Sequence, residues 1–301
     1  MYIKKLAVIL ILILSAVLFS SCGEGNVDVT GAQYESKIVF DGYIYPGHKV
    51  ENIKITRNFP LNRVIDPSQV VLSDADVSIT DIMESKTYKL SFEPQKQSFS
   101  YQGSDLQILS GRSYRLNVTA RVDGKELSAS SVTKVPLNGF HITQKDLGTL
   151  TYREKDGAGA LKYFDVKFTP SKSSDFYAIS IVPVNAGFSD FVFDNGFFKP
   201  DSADIKEDFD NYKYQYRWLQ NVNPEAPSAD YKIEWFDTWF YGEYRVIIYA
   251  ADKNFADFVV TNKMIQEPDG NFHESKLHLE GDGIGIFGSA IADTAYFKII
   301  R

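Results

Sequence analysis

One stretch constrains the fold more than any other: YRLNVTARVDGKELSASSV, residues 114–132. Tyr114, Leu116, Val118, Ala120 and Val122 alternate with Arg115, Asn117, Thr119 and Arg121, the period-2 pattern of a strand with one buried face. Asp123-Gly124 then supplies two residues that tolerate positive φ, as a two-residue type I′ hairpin turn requires. Shorter candidates of the same kind precede it: YESKIVFDGYIYPG, VENIKITRNF, DADVSITDI, KTYKLSF and QSFSYQG. Six or seven such strands in about 100 residues predict an immunoglobulin-like β-sandwich over 34–137, closed near Pro136. Aromatic residues make up 14 % of the chain, mostly Tyr and Phe, which also favours strand.

Residues 138–301 read as a second β-rich domain with longer connections. LKYFDVKFTPSKSSDFYAISIVPV gives two strands around a polar turn, and KYQYRWLQ, YKIEWFDTWFY and GEYRVIIYAA give more. The segment 197–211, rich in Asp, reads as a loop. One helix is predicted near 252–266, DKNFADFVVTNKMIQ, with Asp252 as N-cap, Phe255, Phe258, Val259 and Ile265 as an apolar stripe, and Pro268-Asp269-Gly270 as the stop. The fold class is therefore mostly β, two sandwich-type domains with one short helix.

The N-terminus decides where such a fold would work. MYIKKLAVILILILSAVLFSSC carries Lys4 and Lys5 ahead of 14 residues, Leu6 to Phe19, that are apolar apart from Ser15. That run is short of the roughly 20 residues of a bilayer span and has the length of a signal-peptide core. Leu18-Phe19-Ser20-Ser21-Cys22 resembles a bacterial lipobox, and Cys22 is the only cysteine in the chain. The expectation is a lipoprotein signal peptide over 1–21, diacylglyceryl and N-acyl chains on Cys22, and a Gly-rich tether over 22–33. Loss of Lys4 and Lys5 with the signal takes the net charge from −7 to −9. An acidic surface argues against nucleic acid as a partner.

HESKLHLEGDGIGIFGSA, residues 273–290, imitates two enzyme motifs and satisfies neither. His273 and His278 are five apart, whereas two zinc ligands on one helix face sit at i and i+4. Gly283, Gly285 and Gly288 spell G-x-G-x-x-G, but only 13 residues follow, with no helix and no acidic residue about 20 positions on. The glycines are expected to serve a bend or bulge between strands. No zinc is expected from these two histidines with His48 and His141, no calcium from the acidic loop, and no Ser–His–Asp set has local support. The reading is a non-enzymatic protein with no metal and no cofactor.

The aromatic cluster is the remaining candidate site. Trp218, Trp235 and Trp239, all the tryptophans, lie within 22 residues, and Tyr212, Tyr214, Tyr216 and Trp218 alternate. Exposed, they would stack on a ligand; buried, they are core. Core is the favoured reading for the tryptophans, with ligand contact at rim tyrosines such as Tyr241. The candidate ligand-contact residues are thus Trp218, Trp235, Trp239 and Tyr241.

Taken in order, the lipobox, YESKIVFDGYI, the YRLNVTARVDGKELSASSVTKVP hairpin, FTPSKSSDFYAISI and GDGIGIFGS resemble the domain-of-unknown-function 4249 lipoproteins of Bacteroidetes. Thr169-Pro170 stands where that family usually has Asp-Pro. The resemblance implies an outer-membrane, cell-surface lipoprotein, an accessory or ligand-capture partner of a TonB-dependent transporter. It supplies no catalytic residues. A structural or adhesion protein of fimbrial type is the alternative, and a secreted hydrolase comes third.

Overall fold

A computed structural model describes residues 34–60, 64–199, 201–266 and 275–301. The expected signal peptide and tether with Cys22, the expected helix stop at Pro268-Asp269-Gly270, and His273 lie outside the described residues.

The alternating segments form strands that build two hydrophobic cores. In the first, β1 (Ile38–Ile44) and β2 (Lys54–Arg57) pair antiparallel. They face a five-stranded sheet containing β3 (Asp76–Asp81), β4 (Lys86–Lys89), β7 (Ser113–Val122) and β8 (Lys125–Lys134), with a short ribbon of β5 (Ser91–Glu93) and β6 (Ser98–Ser100) at one side. Tyr114, Leu116, Val118, Ala120 and Val122 are all buried, as their alternation requires. Asp123 and Gly124 have φ of 50° and 78°, so the turn between β7 and β8 has the expected hand.

In the second core, β9 (His141–Ile142), β11 (Phe164–Thr169) and β14 (Ala229–Ile233) form a small sheet against a larger one. The larger sheet orders β13 (Gln215–Leu219), β12 (Tyr177–Pro183), β15 (Gly242–Ala251) and β17 (Gly283–Ile300), then β1 and β2. The strand β10 (Asp146–Thr151) pairs with the far end of β17. Tyr177, Ile179, Ile181, Val246, Ile248 and Phe297 fill the interior from one face of this sheet.

The C-terminal strand departs from the expected division at 137/138. β16 (Leu279–Gly281) pairs with β8, and the first half of β17 runs parallel to β1, so Phe287 is buried in the first core. Only from Ala290 onward does β17 pair with β15 and belong to the second. The glycines make this passage. Gly285 has φ of 100°, and a Cβ there would lie 2.2 Å from the Phe40 carbonyl oxygen; Gly281 has φ of 79° and would lie 2.3 Å from that of Ser128. Of the fingerprint glycines it is Gly285, joined by Gly281 outside the pattern, that serves close backbone approach between strands.

Helix content also exceeds the sequence expectation. Besides the helix over 253–266, the segment read as a loop contains α1 (Ser202–Glu207) and α2 (Phe209–Lys213), and the long one is α3 (Lys253–Gln266). Asp201 caps α1 by accepting from the Ala203 N–H at 2.7 Å. Because Tyr212 lies in α2, the alternation from Tyr212 to Trp218 is not one strand. YKIEWFDTWFY likewise stops being strand at Ile233, and Trp235–Asp237 is a 3-10 turn.

Candidate functional site

The four sequence-selected aromatics separate in space. Trp235 is 4 % exposed, donates its indole N–H to the Lys162 carbonyl at 2.9 Å and packs on Tyr152 with ring centres 5.1 Å apart. Trp239 is 3 % exposed and sits among Phe191, Tyr212 and Phe236. Both are core. Tyr241 is half-buried, with the Arg301 guanidinium 5.3 Å over its ring. Trp218 lies elsewhere, half-buried on the outer face of the large sheet beside exposed Tyr216.

Sequence reasoning missed a surface built around Trp239. Phe193, Phe197, Phe198 and Phe236 each keep between 40 and 53 % of their surface exposed. Asn195, fully buried, fixes the turn that presents two of them. Its Oδ1 accepts from the Phe197 N–H at 2.8 Å and the Phe198 N–H at 3.2 Å, and its Nδ2 donates to the Val192 carbonyl at 3.3 Å. Arg153 donates to the Asn195 carbonyl at 3.0 Å and places its guanidinium 5.1 Å over Phe197. The available signal was FVFDNGFF, residues 191–198, an apolar run around Asn-Gly inside an otherwise polar loop.

A second surface lies on the outer face of the large sheet. Inward residues of β12 and β15 fill the core, so Ala178, Ser180, Ile247 and Tyr249 point the other way. The register aligns Trp218, Ala178, Tyr249 and Ala292 across four strands, and Tyr45 follows β1 with its ring 6.3 Å from that of Tyr249. One step along the same face, Phe176, Ala251 and Gln220 floor a cleft of about 660 Å³. Ser173, Asp175, Asn221 and Pro224 line it together with Lys253, Ala256, Asp257 and Val260 of α3, and with Lys276.

The base of α3 is held by a buried carboxylate. Asp252 Oδ1 accepts from the N–H groups of Phe255 at 3.1 Å and Ser289 at 3.0 Å, and Oδ2 lies 2.6 Å from Thr133 Oγ1. Burial pushes this carboxyl above its ordinary value, while these hydrogen bonds pull the other way. The predicted N-cap is therefore also a link from α3 to β8 and β17. Further along, His278 Nε2 lies 2.8 Å from Asp257 Oδ2, and Lys253 pairs with the same oxygen at 2.9 Å. Burial opposes ionisation of Asp257, but these two partners outweigh it and hold the carboxyl below the usual range. His278 is thus committed to Asp257 on α3, and within KLHLEG Leu279–Gly281 is strand. Among the described residues no three His, Cys, Asp or Glu side chains are grouped as a metal site would need.

These features define a mostly-β protein with two adjoining cores and two exposed aromatic surfaces. The chain belongs to the domain-of-unknown-function 4249 family, whose model matches residues 25–291. Similar solved structures include a tetra-tandem repeat from the extending region of a large adhesion protein, at 10 % identity and a TM-score of 0.24, covering 88 % of this chain and 49 % of that one. Another is a 1.5-MDa bacterial ice-binding adhesin, at 12 % identity and 0.22, covering 88 % and 63 %. A third is the native conformation of E. coli alpha-2-macroglobulin, at 8 % identity and 0.20, covering 73 % and 13 %. The chain spans less than two thirds of each. No curated protein matches the chain.

Proposed function

We propose that this is a non-enzymatic lipoprotein, anchored through Cys22 in the outer membrane and exposed at the cell surface, where it serves as an accessory or ligand-capture partner of a TonB-dependent transporter. The observation that carries the reading is the phenylalanine surface. Four large apolar side chains kept in water, two of them by the hydrogen bonds of a buried Asn195, are a construction that stability alone does not ask for. Covered by a partner, Phe193, Phe197, Phe198 and Phe236 would form the aromatic centre of an interface, with Arg153 and Lys206 at its rim.

A photoreactive residue placed at Phe197 or Phe236 in living cells tests this, with Thr87 on the exposed strand β4 as control. Cross-linking to a TonB-dependent transporter, identified by mass spectrometry, is expected from the first two positions and not from the third. Adducts equal at all three positions, or none with a transporter, would overturn the partnership. The anchor has its own test. Cys22→Ala should abolish incorporation of labelled fatty acid, and persistent labelling would remove the lipobox from the reading.

A further inference from the structure

The outer sheet face and its cleft have a chemistry distinct from the phenylalanine surface, and we infer that they bind a neutral oligosaccharide. The aromatic residues here are Tyr45, Tyr216, Trp218 and Tyr249, each with an apolar face and a polar edge, where the other surface uses phenylalanine alone. A pyranose ring needs this combination, because its C–H face packs on an aromatic plane while its hydroxyls reach outward for hydrogen bonds. A lipid or an apolar protein segment gains nothing from the hydroxyls.

The sheet sets the spacing. Tyr249 and Trp218 are two strands apart, about 9–10 Å, with only the methyl group of Ala178 between them. On the other side of Tyr249, Ala292 is small and exposed, and the Tyr45 ring closes in to 6.3 Å, so these two rings form one edge of the strip. The methyl group of Ala178 thus lies in a shallow trough between Trp218 on one side and the Tyr249–Tyr45 pair on the other, wide enough for a sugar ring. α3 packs farther along β17, with Phe255 against Tyr43 at 4.8 Å, and so bounds the trough without covering it.

The cleft at the end of this trough supplies the polar partners. Ser173, Asp175, Gln220 and Asn221 are all exposed along its lining. Hydroxyl, carboxylate and amide groups together donate and accept, as vicinal sugar hydroxyls require. Its volume lies within the usual range for small-molecule sites, about 300–1,000 Å³. Charge selects among sugars: the chain carries −7 overall, Asp175 and Asp257 line the cleft with Lys253 and Lys276, and Lys253 is paired with Asp257. A polyuronate would meet repulsion, and a neutral glycan would not.

Isothermal titration of the detergent-solubilised full chain with cellohexaose, xylohexaose, maltohexaose and hexagalacturonate tests the assignment. Saturable binding of at least one neutral hexasaccharide is expected, with none for hexagalacturonate. Trp218→Ala should weaken that binding about tenfold, the effect of one stacked ring, and Tyr216→Ala and Asp175→Ala should weaken it too. Tyr216 and Asp175 are exposed, so unchanged melting temperatures in those variants separate lost binding from lost folding. Silence from all three neutral sugars overturns the inference, as does affinity unchanged in the Trp218→Ala and Asp175→Ala chains, or hexagalacturonate binding as tightly as the neutral sugars. The measurement involves no transporter, so it fails or succeeds independently of the proposed partnership.

Discussion

Replacing Asp252 by Ala should cost more stability than any change at the protein's surface. The carboxylate is 7 % exposed and serves three groups on three elements: the N–H of Phe255 in α3, the N–H of Ser289 in β17 and the hydroxyl of Thr133 in β8. Thr133 can turn to Ser289, whose Oγ is 2.7 Å away, but the two backbone N–H groups lose the acceptor they share. Each stranded buried donor costs about 1–3 kcal/mol, and loss of the helix cap adds to this. The expected total is about 3–5 kcal/mol, a large part of a typical 5–15 kcal/mol stability. Urea unfolding followed by tryptophan fluorescence and far-UV circular dichroism measures it. All three tryptophans sit in the second half, so agreement between the probes reports whether both cores unfold together. Asp252→Asn keeps the Oδ1 acceptor and should cost only about 1 kcal/mol near neutral pH. The pH dependence has a definite sign. Because burial raises the folded carboxyl above its unfolded value of about 3.9, the folded chain binds that proton more readily. Asp252 therefore adds stability as pH falls through its folded value toward the unfolded one, and that increment should be missing in Asp252→Asn. A loss below about 1 kcal/mol in Asp252→Ala would refute the view that this carboxylate ties the helix to both sheets.

Trp235→Ala and Trp239→Ala should each lose about 3–5 kcal/mol, whereas Trp218→Ala should stay within about 1 kcal/mol, all by denaturant midpoint. Gly285→Ala, with its Cβ aimed at the Phe40 carbonyl and a positive φ, should lower stability by at least about 2 kcal/mol in thermal melts, and a neutral result would deny the close approach. Asp257 is held low by Lys253 and His278, so its contribution is present above the unfolded carboxyl value and is lost as pH falls; Asp257→Asn should flatten that part of the stability–pH curve.

What the sequence made legible follows from how local each signal is. The hairpin of β7 and β8 needs only neighbouring residues: five alternating apolar side chains and a two-residue turn, and both are present in the structure. The Asp252 cap is equally local. The division of the tryptophans is not. Trp218 lies on a strand whose partner β12 places Ala178 opposite it on the outer face, and nothing within residues 212–219 distinguishes that face from the inner one. Tyr212 continues the alternation in sequence while sitting in α2, because four spaced aromatics carry too little periodicity to tell a strand from a helix end. The phenylalanine surface depends on Asn195 being buried, which is a tertiary fact.

The boundary at 137/138 shows the same limit at the scale of the chain. It separates the two hydrophobic clusters along most of their length, since one draws on residues 38–135 and the other begins at Phe140. Yet the first cluster is closed by Phe287, about 150 residues later, and its sheets are completed by β16 and the first half of β17. No alternation or turn signal in 34–137 announces that two strands are missing. The glycines at 281 and 285 do carry the information, but only as permission for some backbone to come close; which backbone is fixed by β1 and β8. A strand of 18 residues that is parallel to β1 at one end and antiparallel to β15 at the other couples the cores through its own peptide groups. Asp252 reinforces that coupling at Ser289, the residue just before the strand passes from one core to the other. The two sandwiches are therefore separate in where their side chains are buried and continuous in the hydrogen bonds that hold them, which is why stability at Asp252 should be read by probes in both halves.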